Sequence, residues 1–312
     1  RKPRISIILP TYNSDLDFLK KAIESVKHQS YNNWQLCIAD DGSTSTEVKG
    51  FLKGLIAEDR IKINFRQVNG HIAKATNSAI ELVDGDFVTF LDHDDILHPH
   101  ALATIVSYLN KDSNLDILYS DEDKIDEYGN RSQPFFKSSW NPDLILSQNY
   151  ICHLVVIRKT LIDKLGGIKE GTEGAQDYDL ILRATELTDR IQHIPHILYH
   201  WRAVVGSTAL DMKEKNYAHQ KSSQVLVDAL ERRNIKGKVE QTGINAYHRV
   251  LYDLPVPTPK VSVIIPTKDH VDLLSNCIDG LLNKTAYDNF EIVIVDNNSS
   301  EAVTHAYFEK IR

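Results

Sequence analysis

The sequence predicts an α/β fold with a mostly parallel sheet and helices on both faces. Short runs of aliphatic and β-branched residues alternate with segments that carry apolar residues at helical spacing. This strand–helix order implies parallel neighbours joined by right-handed crossovers. Polar clusters follow the strands directly, so they meet at one edge of the sheet. The first strands also recur near the end of the chain, which indicates the start of a second copy.

The composition limits the class of protein. The chain has 312 residues, 42% of them hydrophobic, enough for one large domain or two small ones with a real core. Its net charge of −7 gives no overall basic field that would favour nucleic acid as a partner. No apolar run approaches the roughly 18 residues that a membrane span needs, and no signal peptide is visible. The three separated cysteines indicate reduced core residues of a cytoplasmic protein.

The first part of the chain supplies the strands that define the sheet. Pro10 ends the first strand, and Asp15 or Asp17 can cap the helix that follows. The second strand ends in Asp-Asp-Gly-Ser at residues 40 to 43, and the third leads to Asn-Gly at residues 69 and 70. These polar groups therefore share one edge with the end of the fourth strand. The four predicted strands lie at residues 4 to 9, 35 to 39, 61 to 65 and 87 to 91.

The fourth strand runs directly into Asp92, Asp94 and Asp95. Three acids so close repel one another and raise each other's pKa unless positive charge lies among them. Mg²⁺ or Mn²⁺ suits such a site, since it prefers oxygen ligands, often one or two carboxylates plus substrate phosphates. Open α/β sheets also bind their ligands beyond the carboxyl ends of strands. The alternative is a solvated acidic turn in which Asp95 caps the next helix.

The later part of the first domain is less regular. The acids at residues 121 to 123 are open to three interpretations: a second metal site, acceptor contacts or a solvated strand end. His193, His196 and His200 could suggest zinc, but the first two point to opposite faces of a strand, so a structural or solvent role is expected for them. The predicted elements are helices at 101 to 109, from 176 onward and at 216 to 233, and strands at 117 to 120, 151 to 157 and 194 to 201.

The end of the chain repeats its beginning. Pro-Arg-Ile-Ser-Ile-Ile-Leu-Pro-Thr at residues 3 to 11 returns as Pro-Lys-Val-Ser-Val-Ile-Ile-Pro-Thr at residues 259 to 267. Cys-Ile-Ala-Asp-Asp-Gly-Ser at 37 to 43 returns as Val-Ile-Val-Asp-Asn-Asn-Ser at 293 to 299. Three prolines before the repeat make a stiff linker. The predicted organisation is one domain at 1 to 254, a Pro-rich linker at 255 to 259, and the N-terminal part of a second, truncated copy at 260 to 312.

Several separate motifs carry a family resemblance. They are Pro-Thr-Tyr-Asn from residue 10, Asp-Asp-Gly-Ser from 40, Asn-Gly from 69 with Asn77, Leu-Asp-His-Asp-Asp from 91, and Gly-Ala-Gln-Asp-Tyr-Asp-Leu from 174 with Arg183. With these motifs the chain resembles the inverting family 2 glycosyltransferases, which have the GT-A fold, a Rossmann-like arrangement for nucleotide-diphosphate sugars. Tyr-Ser-Asp-Glu-Asp-Lys from 119 and Leu-Tyr-His-Trp-Arg from 198 resemble a bacterial O-antigen subgroup, rhamnosyltransferase-like and often built as tandem domains.

The resemblance implies roles for individual residues. Asp177 would be the catalytic base, although Gln176 stands where the family usually has Glu. Asp94 would be the direct metal ligand, with Asp92 and His200 as further ligands. Asp41 would hydrogen-bond the base of the nucleotide. Lys74 stands where the family usually has an Arg near the diphosphate. The residues implied to contact the nucleotide sugar are Pro10, Thr11, Asn13, Asp41, Gly70, Lys74, Asp92, Arg202 and Ser207.

The implied activity is metal-dependent inverting transfer of a hexosyl or rhamnosyl group. The donor would be a UDP- or dTDP-sugar with Mn²⁺ or Mg²⁺, and the acceptor a hydroxyl of a glycan or lipid-linked glycan of the bacterial surface. The partners implied are these two substrates and a second transferase domain in the same chain. No nucleic acid and no transmembrane segment are expected, and the location implied is the cytoplasm or the inner face of the cell membrane.

Two other functions compete with sugar transfer. One is a non-catalytic module that binds sugar nucleotide or glycan while another domain does the chemistry. The other is a sugar-nucleotide nucleotidyltransferase, but such enzymes carry a Gly-rich basic loop after the first strand, where this chain has Pro-Thr-Tyr-Asn. Asp177 also has a simpler interpretation as a helix N-cap. The resemblance favours its role as a base.

Overall fold

The computed structural model describes residues 1–203, 212–244 and 247–312. It divides the chain into two units, Arg1–Tyr252 and Asp253–Arg312. The boundary lies close to the predicted end of the first domain at residue 254. Within the described residues, no helix is both long enough and apolar enough to cross a bilayer.

The first unit is built on one mixed sheet with the order β3-β2-β1-β4-β8-β6-β9-β5, and β7 pairs with β6. The strands β3, β2, β1 and β4 are parallel, as are β6 and β9, whereas β8 is antiparallel to both of its neighbours. The strands are β1 (Ile5–Thr11), β2 (Trp34–Asp40), β3 (Ile61–Phe65), β4 (Phe87–Phe90), β5 (Ile96–Leu97), β6 (Ile117–Ile125), β7 (Arg131–Phe135), β8 (Val155–Arg158) and β9 (Ile191–Arg202).

Helices cover the two faces of this sheet. Successive side chains of a strand point to opposite faces, and β1 accordingly sends Ile7 and Leu9 into one buried cluster and Ile8 into another. The first cluster contains residues of α1, α2 and α4, and the second contains residues of α3, α5, α6 and α7. The helices are α1 (Leu16–Lys27), α2 (Thr46–Gly54), α3 (His71–Ile80), α4 (Ala101–Lys111), α5 (Lys159–Leu165), α6 (Gln176–Ala184) and α7 (Met212–Arg232).

The first helix shows how local sequence sets an element. Asp15 is the N-cap of α1, and its carboxylate accepts hydrogen bonds from the backbone N–H groups of Asp17 and Phe18. Such a cap stabilises a helix by about 1 kcal/mol. The predicted stripe from Leu19 to Val26 is the buried side of the helix. The cap and the stripe together fix where α1 begins and which side packs on the sheet.

One sequence prediction, the strand from residue 151, and two of the alternatives left open require correction. β6 extends through Asp121, Glu122 and Asp123, so these acids are buried within a strand and do not form a solvated strand end. β8 begins at Val155, since residues 151 to 154 form a loop. Asp95 does not cap a helix, because α4 begins six residues later with His100 at its N-cap position.

The second unit has a strand–helix–strand–helix order. β12 (Val261–Thr267) and β13 (Phe290–Asp296) are parallel, with α8 (Val271–Lys284) between them and α9 (Ala302–Ile311) after them. Their pairing runs from Val261 with Phe290 to Thr267 with Asp296, in the same register as the pairing of β1 with β2. The second unit therefore repeats the first β-strand pair of the first unit.

A buried histidine lies in the hairpin of β10 (Gly237–Gln241) and β11 (His248–Tyr252). The Nε2 atom of His248 is 2.8 Å from Ser222 Oγ, and its Nδ1 atom is 3.3 Å from Ser223 Oγ. The ring stacks on His219 with 4.5 Å between centroids. Burial, and then the neighbouring His219, lower the pKa of His248 to about 4. The imidazole is therefore neutral in the folded unit at pH 7.

This histidine predicts a loss of stability in acid. An unfolded histidine has a pKa of about 6.5, so below that pH the unfolded state binds more protons than the folded state. The contribution of His248 is present above about pH 6.5 and is lost as the pH falls toward 4, by at most about 3 kcal/mol. We expect His248→Gln to flatten this part of the curve of unfolding free energy against pH. The exposed control His28→Gln should keep the wild-type slope, and an unchanged slope in His248→Gln would contradict the assignment.

Candidate active site

The loops after β1 and β2 are tied to each other at the carboxyl ends of these strands. The Asn13 N–H donates to Ser43 Oγ at 2.8 Å, and Asn13 Oδ1 accepts from the N–H groups of Thr44 and Ser45 at 2.7 and 3.2 Å. Pro10 and Thr11 are buried at the end of β1. The three residues predicted to line a nucleotide therefore lie together, and Asn13 acts as the joint between the two loops.

Asp41 lies beside them, almost fully enclosed. Its carboxylate accepts from Arg66 Nε at 2.7 Å and from the Gly70 N–H at 3.0 Å. The guanidinium of Arg66 also donates to Ser78 Oγ at 2.6 Å. A Cβ at Gly70 would lie 2.6 Å from an Arg66 nitrogen, so only glycine leaves room for this arrangement. Sequence analysis overlooked Arg66, although it directly follows β3 at the polar edge.

Lys74 is exposed on the first turn of α3, next to this group. Its Nζ lies 3.4 Å from Glu170 Oε2. Both side chains are largely solvated, and such an ion pair contributes little to stability. Lys74 is therefore held weakly at the edge where the polar loops meet, and an anion could draw its ammonium away from Glu170.

Asp95 is the buried centre of the acidic cluster. Its carboxylate accepts from the Arg202 N–H at 2.7 Å and from the Tyr199 hydroxyl at 2.5 Å. The Asp92 N–H donates to the same hydroxyl at 3.3 Å. Burial, together with the charges of Asp92 and Asp94, raises the pKa of Asp95 well above its usual range. Asp95 therefore joins β9 to the loop after β4.

Two other acids of the predicted site act on Asp92. Burial raises the pKa of Asp92, and the negative charges of Asp94 and Asp177 raise it further, while His153 lowers it. Asp177 therefore lies at the same edge as the cluster after β4, although 82 residues or more separate them along the chain. The sequence prediction requires Asp94 and Asp177 to share one site, and the charges of both act on Asp92.

A cation fits this group of residues. Ligand atoms of Asp92, Asp95 and His153 lie within 4.8 Å of one another. Both oxygens of Asp95 accept hydrogen bonds, so Asp92 and His153 are the better ligand candidates of the three. Asp94, the predicted direct ligand, is adjacent in the chain but contributes no atom to this group. A divalent cation would relieve the mutual repulsion among the carboxylates. His153 was not predicted from the sequence, because it lies in an irregular loop far along the chain from the acids.

His200 was predicted as a further metal ligand, and the structure assigns it another environment. Its Nδ1 is 2.6 Å from Asp123 Oδ1, and its ring lies 6.0 Å from that of His98. Adjacent residues of a strand point to opposite faces, so His200 points away from the side on which Tyr199 contacts the acidic cluster. His193 is paired in the same way with Asp121, at 2.7 Å. These acid–imidazole pairs account for Asp121 and Asp123, whereas the third acid of β6, Glu122, is paired with Lys137.

Arg202 is buried, and this corrects its predicted role at the nucleotide. Its Nε donates to the Asp94 carbonyl at 2.6 Å, and another guanidinium nitrogen donates to the Asp126 carbonyl at 2.9 Å. The guanidinium lies over the Phe18 ring at 4.5 Å. Arg202 therefore fixes the backbone of the acidic loop. The predicted contact Ser207 lies outside the described residues.

Asp177 stands in the first turn of α6, whose N-cap position is occupied by Ala175. Its Oδ2 accepts a hydrogen bond from Asn149 Nδ2 at 2.8 Å. The helix-cap interpretation of Asp177 is therefore wrong, since the N-cap is two residues earlier. Asn149 holds the carboxylate half-buried at the edge of the acidic group, where an acceptor hydroxyl could approach its other oxygen.

Relatives in sequence are longer than this chain. A protein of Sinorhizobium fredii is 44% identical over 313 residues, covering 99% of this chain and 34% of its own length. The O-antigen biosynthesis protein RfbC of Myxococcus xanthus is 38% identical over 312 residues, covering 99% of this chain and 24% of its own length. The chain thus spans about a third or less of these two relatives.

Solved structures share the fold of the first unit. TarS of S. aureus, residues 1–349 in complex with UDP-GlcNAc, matches with a TM-score of 0.57 and 18% identity, over 74% of this chain and 72% of its own. The mannosyltransferase PcManGT of Pyrobaculum calidifontis, in complex with GDP-Man and Mn²⁺, matches with a TM-score of 0.55 and 17% identity, over 75% of this chain and 65% of its own. The predicted GT-A fold class is confirmed.

The family itself is shown by the sequence profile described as Glycosyl transferase family 2. It matches residues 6–166, which contain the loops after β1 and β2 and the acidic cluster, and again residues 262–312. More than half of the chain is covered. The chain therefore belongs to glycosyl transferase family 2.

Proposed function

We propose that the first unit transfers a sugar, with inversion, from a nucleotide-diphosphate sugar to a hydroxyl of a bacterial surface glycan, in a reaction that depends on a divalent cation. One observation carries this proposal. The charges of Asp94 and Asp177 both act on Asp92, at the edge where Asn13 and Asp41 hold the first two loops. Inverting transfer needs the leaving group on one face of the sugar and a base on the other, and this arrangement of acids could serve both.

The donor would lie along the loops after β1, β2 and β3. Asp41 and Gly70 supply an acceptor and a small residue at the position proposed for the base of the nucleotide. Arg66 orients that carboxylate through its 2.7 Å contact. Lys74, loosely paired with Glu170, is the cation that could turn to the diphosphate. UDP- and dTDP-sugars are the proposed donors, and TarS with UDP-GlcNAc is a structural precedent for the first.

The proposed cation is Mn²⁺ or Mg²⁺, held by Asp92 and Asp94 with His153 as a further candidate ligand. When bound, it would neutralise charge that develops on the departing diphosphate. The chain itself provides the rest of the environment. Arg202 and Tyr199 fix the acidic loop through the Asp94 carbonyl and the Asp95 carboxylate, so that the two ligand carboxylates are held in place.

Asp177 is the proposed base. In inverting transfer the acceptor hydroxyl attacks the anomeric carbon from the face opposite the leaving group, and a carboxylate removes its proton. Such general base catalysis is worth about 10²–10⁴-fold. Asn149 occupies one carboxylate oxygen of Asp177 and leaves the other for the acceptor. The aromatic side chains of His153 and Trp201, 6.1 Å apart between ring centroids, offer faces on which an acceptor sugar could pack.

The surface glycan is proposed as acceptor because a relative that covers almost all of this chain is named for O-antigen biosynthesis. Whether the transferred group is a hexosyl or a rhamnosyl residue follows from the donor. Both groups fit the same reaction. The donor screen below distinguishes them.

We also propose that residues 260–312 are the N-terminal part of a second transferase domain. The hydrogen bonds that join the first two loops recur in the second unit, with Asp269 in the place of Asn13: its N–H donates to Ser299 Oγ at 2.7 Å, and its carboxylate accepts from the N–H groups of Ser300 and Glu301. The profile match at residues 262–312 supports the same origin. Asn297 stands where the first unit has Asp41, so the base contact would differ.

The decisive experiment is a donor screen with the purified protein. UDP-, dTDP- and GDP-sugars are tested for transfer and hydrolysis with Mn²⁺, with Mg²⁺ and with chelator. We expect one nucleotide class to turn over with metal and to stop with chelator. Tight nucleotide binding without transfer or hydrolysis across all donors would favour the non-catalytic module. Pyrophosphate release from a sugar phosphate and a nucleoside triphosphate would favour the nucleotidyltransferase.

A further inference from the structure

We propose that Lys137 is a positioning residue of this site. It would hold the segment of residues 149 to 153, called the clamp segment below, in the conformation that places Asn149 beside Asp177 and His153 beside Asp92. The proposal rests on the proposed function, since it concerns the same site. Its evidence is a buried ammonium group whose partners lie on that segment.

The side chain of Lys137 is completely buried, with 0% of it exposed. Its Nζ donates to the Ile151 carbonyl at 2.5 Å, to the His153 carbonyl, and to Glu122 Oε2 at 3.1 Å. An ammonium group has three donors and no acceptor. All three donors are therefore used, and two of them donate to backbone carbonyls of the clamp segment.

Glu122 completes the attachment from β6. Its Oε2 accepts the His153 N–H at 2.9 Å as well as the Lys137 ammonium. The Lys137 N–H donates to Asp121 Oδ1 at 2.9 Å, which anchors the lysine backbone to the same strand. The backbone of His153 is thus held through both its N–H and its carbonyl by one buried ion pair.

The clamp segment contacts both chemical groups of the site. At its start, Asn149 Nδ2 donates to Asp177 at 2.8 Å. At its end, the His153 ring stacks on Tyr199 with 4.6 Å between centroids, beside Asp92 and Asp95. A shift of the segment would therefore displace the base and the cation ligand together. A misplacement of about 1 Å can cost about a hundredfold in rate.

A buried ion pair contributes little to stability by itself, because desolvation of the two charges offsets their attraction. An apolar pair of similar volume would fill the same space. What an apolar pair cannot supply is hydrogen bonds to the carbonyls of Ile151 and His153. The lysine is therefore explained by the conformation of the clamp segment rather than by stability.

The first test compares Lys137→Met with Lys27→Met. Lys27 is the matched control, because its Nζ is also paired with a glutamate, Glu58 at 2.6 Å, but on α1 away from the site. We expect Lys137→Met to lower kcat by about a hundredfold and to change donor KM much less, since the loops after β1 and β2 belong to other elements and only His153 of the donor side is displaced. Hydrogen exchange at residues 149–153 should accelerate in this variant and not in Lys27→Met.

The second test is the double variant Glu122→Gln with Lys137→Met, which removes both charges. We expect it to regain much of the melting temperature that Lys137→Met loses, because no unpaired charge stays buried, while kcat stays low. Recovery of kcat together with stability would overturn the proposal, since charge neutralisation alone would then explain the lysine. Unchanged exchange at residues 149–153 in Lys137→Met would also overturn it.

The two proposals fail separately. Hydrogen exchange needs no turnover, so it decides the positioning role even when no donor is transferred. A wild-type protein that transfers no sugar, but whose clamp segment loosens in Lys137→Met, would contradict the proposed function and leave the positioning role supported. A wild-type protein that transfers sugar, and whose kcat is unchanged by Lys137→Met, would support the proposed function and contradict the positioning role of Lys137.

Discussion

Asp177→Asn is expected to lower the rate of sugar transfer by about 10²–10⁴-fold, because an amide cannot take the proton of the acceptor hydroxyl. The substitution keeps the size of the side chain and its place in the first turn of α6. The oxygen that accepts from Asn149 is also kept, so the fold around it should survive. The measurement is the initial rate of transfer at saturating donor and acceptor.

Donor binding separates this expectation from a general disturbance of the site. The loops after β1 and β2, which carry Asn13 and Asp41 and are proposed to bind the nucleotide, do not contain Asp177. The affinity for the nucleotide, measured by calorimetry, should therefore stay at the wild-type value in Asp177→Asn. Asp17→Asn is the matched control, since Asp17 is also an acid in the first turn of a helix but is 82% exposed. Full transfer activity in Asp177→Asn would end the assignment of Asp177 as the base.

The fold was predictable where one local pattern determined it. The cap at Asp15 and the apolar stripe of α1 are set within a dozen residues, and the four parallel strands show as separate aliphatic runs. The extent of β6 was not predictable in this way. In the sequence its acids look like the end of a strand. Their burial is compensated by pairing with His193, His200 and Lys137.

The residues of the candidate site also fall into those that were predicted and those that depend on a partner distant in sequence. Asp92 and Asp94 were predicted because carboxylates directly follow a strand at the expected edge, and Asp177 was predicted from the family resemblance. His153, Arg66 and Lys137 were missed. The reason is that each acts through a partner distant in sequence, and periodicity carries no information about such pairs. His153 and Lys137 also lie in or next to irregular segments that no turn rule folds.

The family resemblance implied His200 as a metal ligand, but the structure pairs His200 with Asp123 and places His153 beside Asp92 instead. His200 is adjacent in sequence to Tyr199, whose hydroxyl contacts Asp95. Alternation along β9 then sends the two side chains to opposite faces, so only Tyr199 reaches Asp95. The imidazole that lies beside Asp92 comes instead from the loop before β8, and it stacks on Tyr199.

Removal of the cation is expected to abolish transfer, and Asp92→Asn and Asp94→Asn should each weaken Mn²⁺ binding by at least about a hundredfold. Loss of one carboxylate removes a ligand and also the repulsion that favours a cation among these acids. The measurement is Mn²⁺ affinity by electron paramagnetic resonance, together with recovery of activity as Mn²⁺ is restored after chelation. Asp163→Asn, an exposed acid paired with Lys159 on α5, is the control and should bind Mn²⁺ as the wild type does.

Asp95→Asn should behave differently from its two neighbours. Its carboxylate is occupied by the Arg202 N–H and the Tyr199 hydroxyl, so the amide loses one acceptor in a buried place and destabilises the fold by about 1–3 kcal/mol. Folded Asp95→Asn protein should keep Mn²⁺ affinity within about tenfold of the wild type, because the ligands Asp92 and Asp94 stay in place. Loss of Mn²⁺ binding in Asp95→Asn but not in Asp94→Asn would transfer the ligand role to Asp95 and require Tyr199 to release it when the cation binds.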